Sequence, residues 1–250
     1  MTYLYSLRTM GNSNSAVGAA PRAWGIAICT GVLLALLSGC GSSSSAGNGI
    51  ASQTPTQILA STQAAAYAAS SAHVSGSLTS GGAKITLDLD LLAGRGGRGQ
   101  LAENGLSFEL IETGGYVYIK GSPAFYTHIA GAATAQLFVG KWLKAPATSG
   151  NFASLASLTN LHSLIETTLA GHGSLGKGAT TSVNGHEVVA LTDTSKGGTL
   201  YVATTGKPYP VEVIKQGSTG GQIVFGSWNE PVSLAAPANA VDLSQLQSGN

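Results

Sequence analysis

The sequence predicts an α+β fold in which helices cover one face of a large, curved antiparallel sheet of about ten strands. Three observations predict it. Apolar and polar residues alternate through "KITLDLDL", where Ile85, Leu87, Leu89 and Leu91 interleave with Lys84, Thr86, Asp88 and Asp90. A strand patterned this way has one oily face and one wet face. Asn104-Gly105, Gly114-Gly115 and Asn184-Gly185 stand between strand-like runs, and such pairs mark hairpins because a type I′ turn needs positive φ twice in succession. Residues with helical spacing lie before and between the two strand blocks, an order that suits helices segregated to one side of a sheet.

The chain opens on a leader. Gly25 to Leu37 carries no charge, and Arg8 and Arg22 lie upstream. A membrane span needs roughly 20 apolar residues, whereas a run of 10–14 is the length of a signal-peptide core. Leu37-Ser38-Gly39-Cys40 follows and resembles the bacterial lipobox. That resemblance implies cleavage before Cys40, a diacylglyceryl group on its sulfur, and a protein held to the membrane by that lipid on the extracytoplasmic face. Met10 is an alternative start that would shorten the leader. "GSSSSAGNG" after Cys40 has no charge and no large apolar side chain, the composition of a flexible tether. The expected organisation is a leader over 1–39, a tether over 40–50 and one domain over 51–247.

Inside the domain, Thr54-Pro55-Thr56-Gln57 reads as a helix start, with Thr54 as N-cap, Pro55 at the first position and Gln57 closing a capping box. This helix should run to about Ser70 with Ile58, Leu59, Thr62, Ala65, Ala66 and Ala69 on one face. Ser122-Pro123 starts a short helix. A longer one is expected over 152–170, carrying Leu155, Leu158, Leu161, Leu164, Ile165 and Leu169 at spacings of three and four and ending at Gly171. Further strands are expected at 198–204, 209–215 and 221–227.

Composition narrows the chemistry. Cys29 falls in the leader and Cys40 is the acylation site, so the mature chain has no thiol pair for a disulfide or a metal. Of the 12 Lys+Arg, two are in the leader, and the rest are slightly outnumbered by 11 acidic residues. That balance does not suit a protein held to nucleic acid by counterion release. No cofactor is expected. "GRGGRG" (94–99) and "GHGSLG" (171–176) match G-x-G-x-x-G, but neither joins a strand to a helix as a dinucleotide loop must. "HGSLG" approaches a nucleophile elbow at Ser174, with Asp193 and His186 as partners on paper, yet it lacks the strand-turn-helix context. His73, His128, His162, His172 and His186 show no metal spacing and read as surface or capping residues. Glu109 and Glu112 read as solvated carboxylates without a partner. Tyr116 and Tyr118 share a strand face, with Phe125, Tyr126, Phe138 and Trp142 close behind. They fit a core edge and a pocket mouth equally well.

Several segments together resemble the LppX/LprAFG lipoproteins of actinobacteria, relatives in fold of the LolA and LolB carriers. They are the lipobox at Cys40, "TPTQILASTQAAAYAASSAHVSGSL", "GGYVYIKG", "GKWLKAP", "VNGHEVVALT", "GTLYVATTGKPYPVEV" and "GQIVFGSWNEPVSLAAP". The resemblance implies a half-barrel sheet around an apolar cavity, a lipid or glycolipid ligand, an envelope transport partner and no catalysis. The cavity candidates are then Ile85, Leu87, Leu89, Leu91, Phe108, Leu110, Val117 and Ile119 on the strands, with Leu158, Leu161 and Ile165 on the central helix. The rival reading is an envelope scaffold lipoprotein whose half-barrel is filled by its own side chains.

Overall fold

A computed structural model describes residues 47–247 except 81, 151 and 219. The leader and Cys40 lie outside the described residues. By backbone contacts the chain from Ser44 onward is one compact unit. It contains the twelve-stranded sheet and its core.

The elements follow one another as α1 (Pro55–Tyr67), β1 (Ser71–Ser80), β2 (Ala83–Leu92), β3 (Gly96–Glu103), β4 (Leu106–Thr113) and β5 (Tyr116–Gly121). Then come α2 (Pro123–Phe138), β6 (Leu143–Pro146), α3 (Phe152–Leu158) and α4 (Leu161–Ala170). The second strand block is β7 (Leu175–Val183), β8 (His186–Asp193), β9 (Thr199–Ala203), β10 (Pro210–Lys215) and β11 (Gly221–Gly226), closed by β12 (Val241–Asp242) and α5 (Leu243–Gln247). All twelve strands form one sheet in the order β12-β6-β5-β4-β3-β2-β1-β11-β10-β9-β8-β7. Every pairing is antiparallel except β12 on β6. The edge strands β12 and β7 do not meet, so the sheet is open. The two strands beyond the expected ten arise because β6 and β12 are too short to show alternation.

The turns are the predicted ones. Asn104 and Gly105 have φ of 49° and 84°, and Asn184 and Gly185 have 49° and 81°, which is the type I′ conformation. They mark opposite ends of the sheet. The β3–β4, β8–β9 and β10–β11 turns share the Asn104 end; the β2–β3, β4–β5 and β7–β8 turns share the Asn184 end.

Register carries the period-two pattern across the sheet. Leu89 of β2 faces Val74 of β1 and Gly99 of β3, and Gly99 faces Leu110 of β4, which faces Ile119 of β5. These side chains point to one face, the inner one. Helices cover it: Ile58, Leu59 and Ala66 of α1 and Leu161, Ile165 and Leu169 of α4 are buried in the same cluster as Val74, Leu89, Leu110 and Ile119. On the outer face a smaller cluster of Val188, Ala203 and Val211 with Val183 and Tyr201 forms near the Asn184 end. There the buried Glu212 takes a hydrogen bond from the Gln222 amide.

Three expectations need correction. The helix over 152–170 is two helices, because Asn160 leaves helical conformation (φ −91°, ψ 110°) and caps α4 by accepting from the Ser163 N–H at 3.0 Å. An Asn side chain competes with the backbone mid-helix and prefers a cap. The helix after Ser122 is not short, and spans Pro123–Phe138 with a break at Gly131 (φ 77°, ψ 158°). Lastly, the ordered fold starts inside the expected tether. Asn48 donates from its amide to Ala203 O (3.0 Å) and Gly206 O (3.1 Å), and Ile50 is buried in the core. The first helix is as expected at its start, where Thr54 and Gln57 bond reciprocally.

Leu161 and Ile165 are fully buried, one turn apart, in a continuous cluster. Replacing Leu161 by Trp therefore overpacks the core and is expected to cost typically 1–3 kcal/mol. A denaturant titration of wild type and variant reads this as a lower midpoint at unchanged slope; an unaltered midpoint would mean an unseen void beside Leu161.

Candidate functional site

The helices do not cover the inner face evenly. Towards its middle the face is sealed, with Leu91, Leu110, Val117, Leu161 and Ile165 wholly buried. At the Asn104 end it opens. Leu78 of β1, Ile85 of β2, Leu106 and Phe108 of β4, Val213 of β10 and Ile223 of β11 also point inward by register, yet each is only half-buried. The floor between them is shallow because Gly76 and Gly221 contribute no side chain to the same face. Neither position tolerates one: a Cβ at Gly76 would run into the Gln222 carbonyl, and one at Gly221 into the Ser77 carbonyl. Phe125 of α2 borders this mouth, its ring 5.0 Å from that of Phe108.

Val213 joins the mouth to an open cleft of about 270 Å³ between α4 and strands β7–β10. Leu59, Leu169, Leu175, Leu191, Leu200 and Val213 supply its apolar walls; His172, Asp193, Lys196 and Lys215 supply a polar rim. The volume is at the small end of ligand pockets, which run about 300–1,000 Å³. An apolar wall with charges confined to the rim suits an amphiphile, its chain inside and its head outside.

The sequence-predicted candidates fall on both sides of this divide. Leu87, Leu89, Leu91, Leu110, Val117, Ile119, Leu161 and Ile165 are in the sealed cluster, and Leu158, on α3, packs half-buried against it. Ile85 and Phe108 are at the mouth. None of the eleven lines the 270 Å³ cleft. Its walls come from α4, from Leu59 of α1 and from the second strand block. The block's inward residues Leu191, Leu200 and Val213 are legible as alternation but not as neighbours of Leu59 and Leu169.

Other expectations are settled by position. His186 and Asp193 are the first and last residues of β8, roughly 23 Å apart at about 3.3 Å per residue, so although Asp193 lies beside the 173–174 loop, His186 cannot join it and Ser174 in a triad. Asp193 has a different task. It accepts from the N–H groups of Gly173 (2.7 Å), Ser195 (2.9 Å) and Lys196 (2.8 Å) and from the Ser195 hydroxyl (3.0 Å). These bonds hold its carboxyl far below the usual carboxylate range. Residues 94–99 lead from a turn into β3 and 171–176 from α4 into β7, so neither glycine motif opens a helix.

Glu109 and Glu112 do have partners. Glu112 accepts from the buried Thr159 hydroxyl at 2.8 Å, tying β4 to the break between α3 and α4. Glu109 pairs with Lys120 at 3.3 Å on the outer face. Also on that face, His73 Nδ1 lies 2.9 Å from Asp90, which Arg98 contacts at 3.3 Å. Burial pushes the Asp90 carboxyl up, but the hydrogen bonds from His73 and Arg98 outweigh it and leave it below its ordinary value. His162 reaches the last carbonyl of α1, at Tyr67, at 3.1 Å. The aromatic residues divide as well. Phe125, Tyr126 and Phe138 edge the core, whereas Tyr116 and Tyr118 lie on the outer face and Lys144 sits 4.1 Å over the Tyr116 ring.

The Asp193 bonds fasten the 171–175 and 193–198 loops that form the rim. An aspartate with a depressed folded pKa stabilises above its unfolded value of about 3.9, and that contribution is lost as pH falls towards the folded value. Asp193→Asn should therefore speed amide exchange at Gly173, Ser195 and Lys196 at pH 7. The difference from wild type should shrink only at strongly acid pH. A difference that vanished already near pH 5 would contradict the depressed titration.

No family model and no curated protein matches this chain. Among solved structures, LprF from Mycobacterium bovis superposes with a TM-score of 0.50 at 15% identity, covering 74% of this chain and 97% of that one. Lipoprotein LppX from Mycobacterium tuberculosis superposes with a TM-score of 0.47 at 18% identity, covering 73% of this chain and all of that one (100%). At such identity the likeness speaks for the fold. The open sheet with its helices on one face is a fold of the LppX/LprAFG type.

Proposed function

We propose that this protein is a non-catalytic lipoprotein of the cell envelope that binds lipid or glycolipid along the inner face of its sheet and carries it. Acylated Cys40 holds it to the extracytoplasmic face of the membrane. The observation that carries the reading is the row of half-exposed apolar side chains at the Asn104 end: Leu78, Ile85, Phe108, Val213 and Ile223. A soluble fold gains by burying such a row; one that leaves it open and continuous with a cleft has a surface for an apolar ligand. The absence of a membrane-crossing helix among the described residues is compatible with a lipid anchor.

The energetics are sufficient. About ten CH₂ groups placed against this surface would gain roughly 8 kcal/mol at about 0.8 each, from which the ordering of the chain must be subtracted. The cleft accommodates one short chain; a larger ligand requires the helix layer to lift from the sheet. Leu158, Leu161 and Ile165 would then line the widened space, together with the inward residues of β2, β4 and β5.

The second reading, a scaffold lipoprotein with a filled interior, is favoured by the sealed centre of the core, where Leu91, Leu110, Leu161 and Ile165 leave no exposed surface. Native mass spectrometry on protein purified from its own envelope separates the two. The carrier reading expects adducts of lipid mass and saturable binding of a fluorescent fatty acyl probe. Ile85→Asp with Ile223→Asp, both at half-exposed positions, should weaken probe binding at least tenfold while the melting temperature moves little. Protein without lipid that also ignores the probe would replace carriage by the scaffold.

A further inference from the structure

The cleft beneath α4 carries two unpaired cations on its rim against one carboxylate that is already saturated. Lys215 ends β10 two residues beyond Val213, so its side chain leaves the strand on the same inward face. It lines the cleft, is exposed, and makes no ion pair among the described residues. Lys196, in the β8–β9 turn, donates one of its three ammonium hydrogens to the Gly171 carbonyl at 3.2 Å. That bond covers the C-terminal end of α4, whose partial negative charge would otherwise repel an anion, and it leaves two donors over. Asp193 is the carboxylate on this rim. Its oxygens already accept from three backbone N–H groups and the Ser195 hydroxyl, and it pairs with neither lysine.

The apolar wall runs inward from these cations. Val213 of β10 faces Leu200 of β9, which faces Leu191 of β8, and Leu175 of β7 lies beyond them in the same cleft. From β10 to β7 are three strand spacings, about 14 Å at roughly 4.8 Å each. An extended hydrocarbon advances roughly 1.3 Å per carbon at bonds of about 1.52 Å, so about eleven carbons cross the row. A cleft of about 270 Å³ gives room for one such chain.

We infer that this cleft takes a single-chain amphiphile with an anionic head, carboxylate or phosphate, the chain lying across β10 to β7 under α4 and the head held at the rim by Lys215 and Lys196. The inference rests on the lipid-binding reading and narrows it to a ligand class for the cleft. Burial of the chain supplies the affinity, as it would for any amphiphile. An exposed ammonium–anion pair is a weak contact by itself, so the two lysines supply the choice of head. A cationic head would meet them directly.

The test is calorimetric titration of the full chain carrying Cys40→Ala, stripped of bound lipid, with ten-carbon ligands below their micelle concentrations. Decanoate and decyl phosphate are the two anionic arms, decyl maltoside is neutral and decyltrimethylammonium is cationic. The expected result is one-to-one binding of at least one anion, at least tenfold tighter than the neutral and cationic ligands and weakened by added salt; the tighter anion identifies the head. Lys215→Gln should weaken the anions severalfold and leave decyl maltoside unchanged, and Lys215→Glu should favour decyltrimethylammonium instead. Lys196→Gln should act like Lys215→Gln, with the melting temperature followed because its bond to Gly171 is lost. Thr167→Trp, at an exposed position that lines the cleft, should weaken every ligand at unchanged melting temperature by filling the space. Anion binding that ignores both Lys215 variants or Thr167→Trp would overturn the inference, as would equal affinity for all heads or uptake at many sites only near the micelle concentration. In each of those cases, retained binding of the fluorescent acyl probe would leave the lipid-binding reading standing, and its loss from wild type would end that reading too.

Discussion

The fold rests on a mismatch between a wide sheet and a small set of helices. Twelve strands lay side by side present a long inner face of Leu, Ile and Val. Among the described residues it is covered by α1 and α4, with shorter contributions from α2 and α3. Where α1 and α4 lie over the middle strands, Leu89, Leu91, Leu110, Leu161 and Ile165 are buried, and only towards β7–β10 does a cleft remain beside Leu59 and Leu169. Where they do not reach, at the Asn104 end, the same alternating pattern continues with nothing fully over it. The open mouth is therefore a consequence of the pattern outrunning its cover.

Polar contacts decide where the cover sits. The reciprocal bonds of Thr54 and Gln57 start α1, and His162 meets its last carbonyl. The Thr159 hydroxyl on Glu112 fixes the corner between α3 and α4 from within the sheet. Asp193 gathers three backbone N–H groups and so shapes the loops around the cleft. Thr159 and Glu112, the buried and half-buried members of this set, satisfy one another and so avoid the desolvation cost of an unpaired polar group. None has the proton-transfer geometry of a catalytic pair.

The outer face carries a second pattern. The row Asp88, Gln100, Glu109 and Lys120 crosses β2 to β5 in register, and Asp90, Arg98, Ile111 and Tyr118 lie beside it. Ion pairs at such exposure contribute little individually, typically 0.2–1 kcal/mol. They keep the outer face wet and make the inner face the side that helices choose.

The sequence by itself determined what depends on neighbours along the chain. Alternation in 84–91 set which side chains of β2 face inward, and Asn104-Gly105 and Asn184-Gly185 set where the chain reverses, because positive φ is a local demand. Thr54, Pro55 and Gln57 set the start of α1 for the same reason. Only the tertiary structure decided which inward residues are sealed, since that depends on where α1 and α4 come to rest across strands distant in the sequence. Ile85 and Leu89 look alike in "KITLDLDL", yet one is at the mouth and the other in the core. Asn160 lies within a continuous helical spacing in the sequence, yet its side chain caps α4 while Thr159 turns to Glu112, 47 residues away in the chain. The exposure of α2 was equally hidden. The sequence marks the start of α2 at Ser122-Pro123 but not its length, and only the fold shows that Tyr126 and Ala135 are buried while Ile129 and Leu137 are exposed.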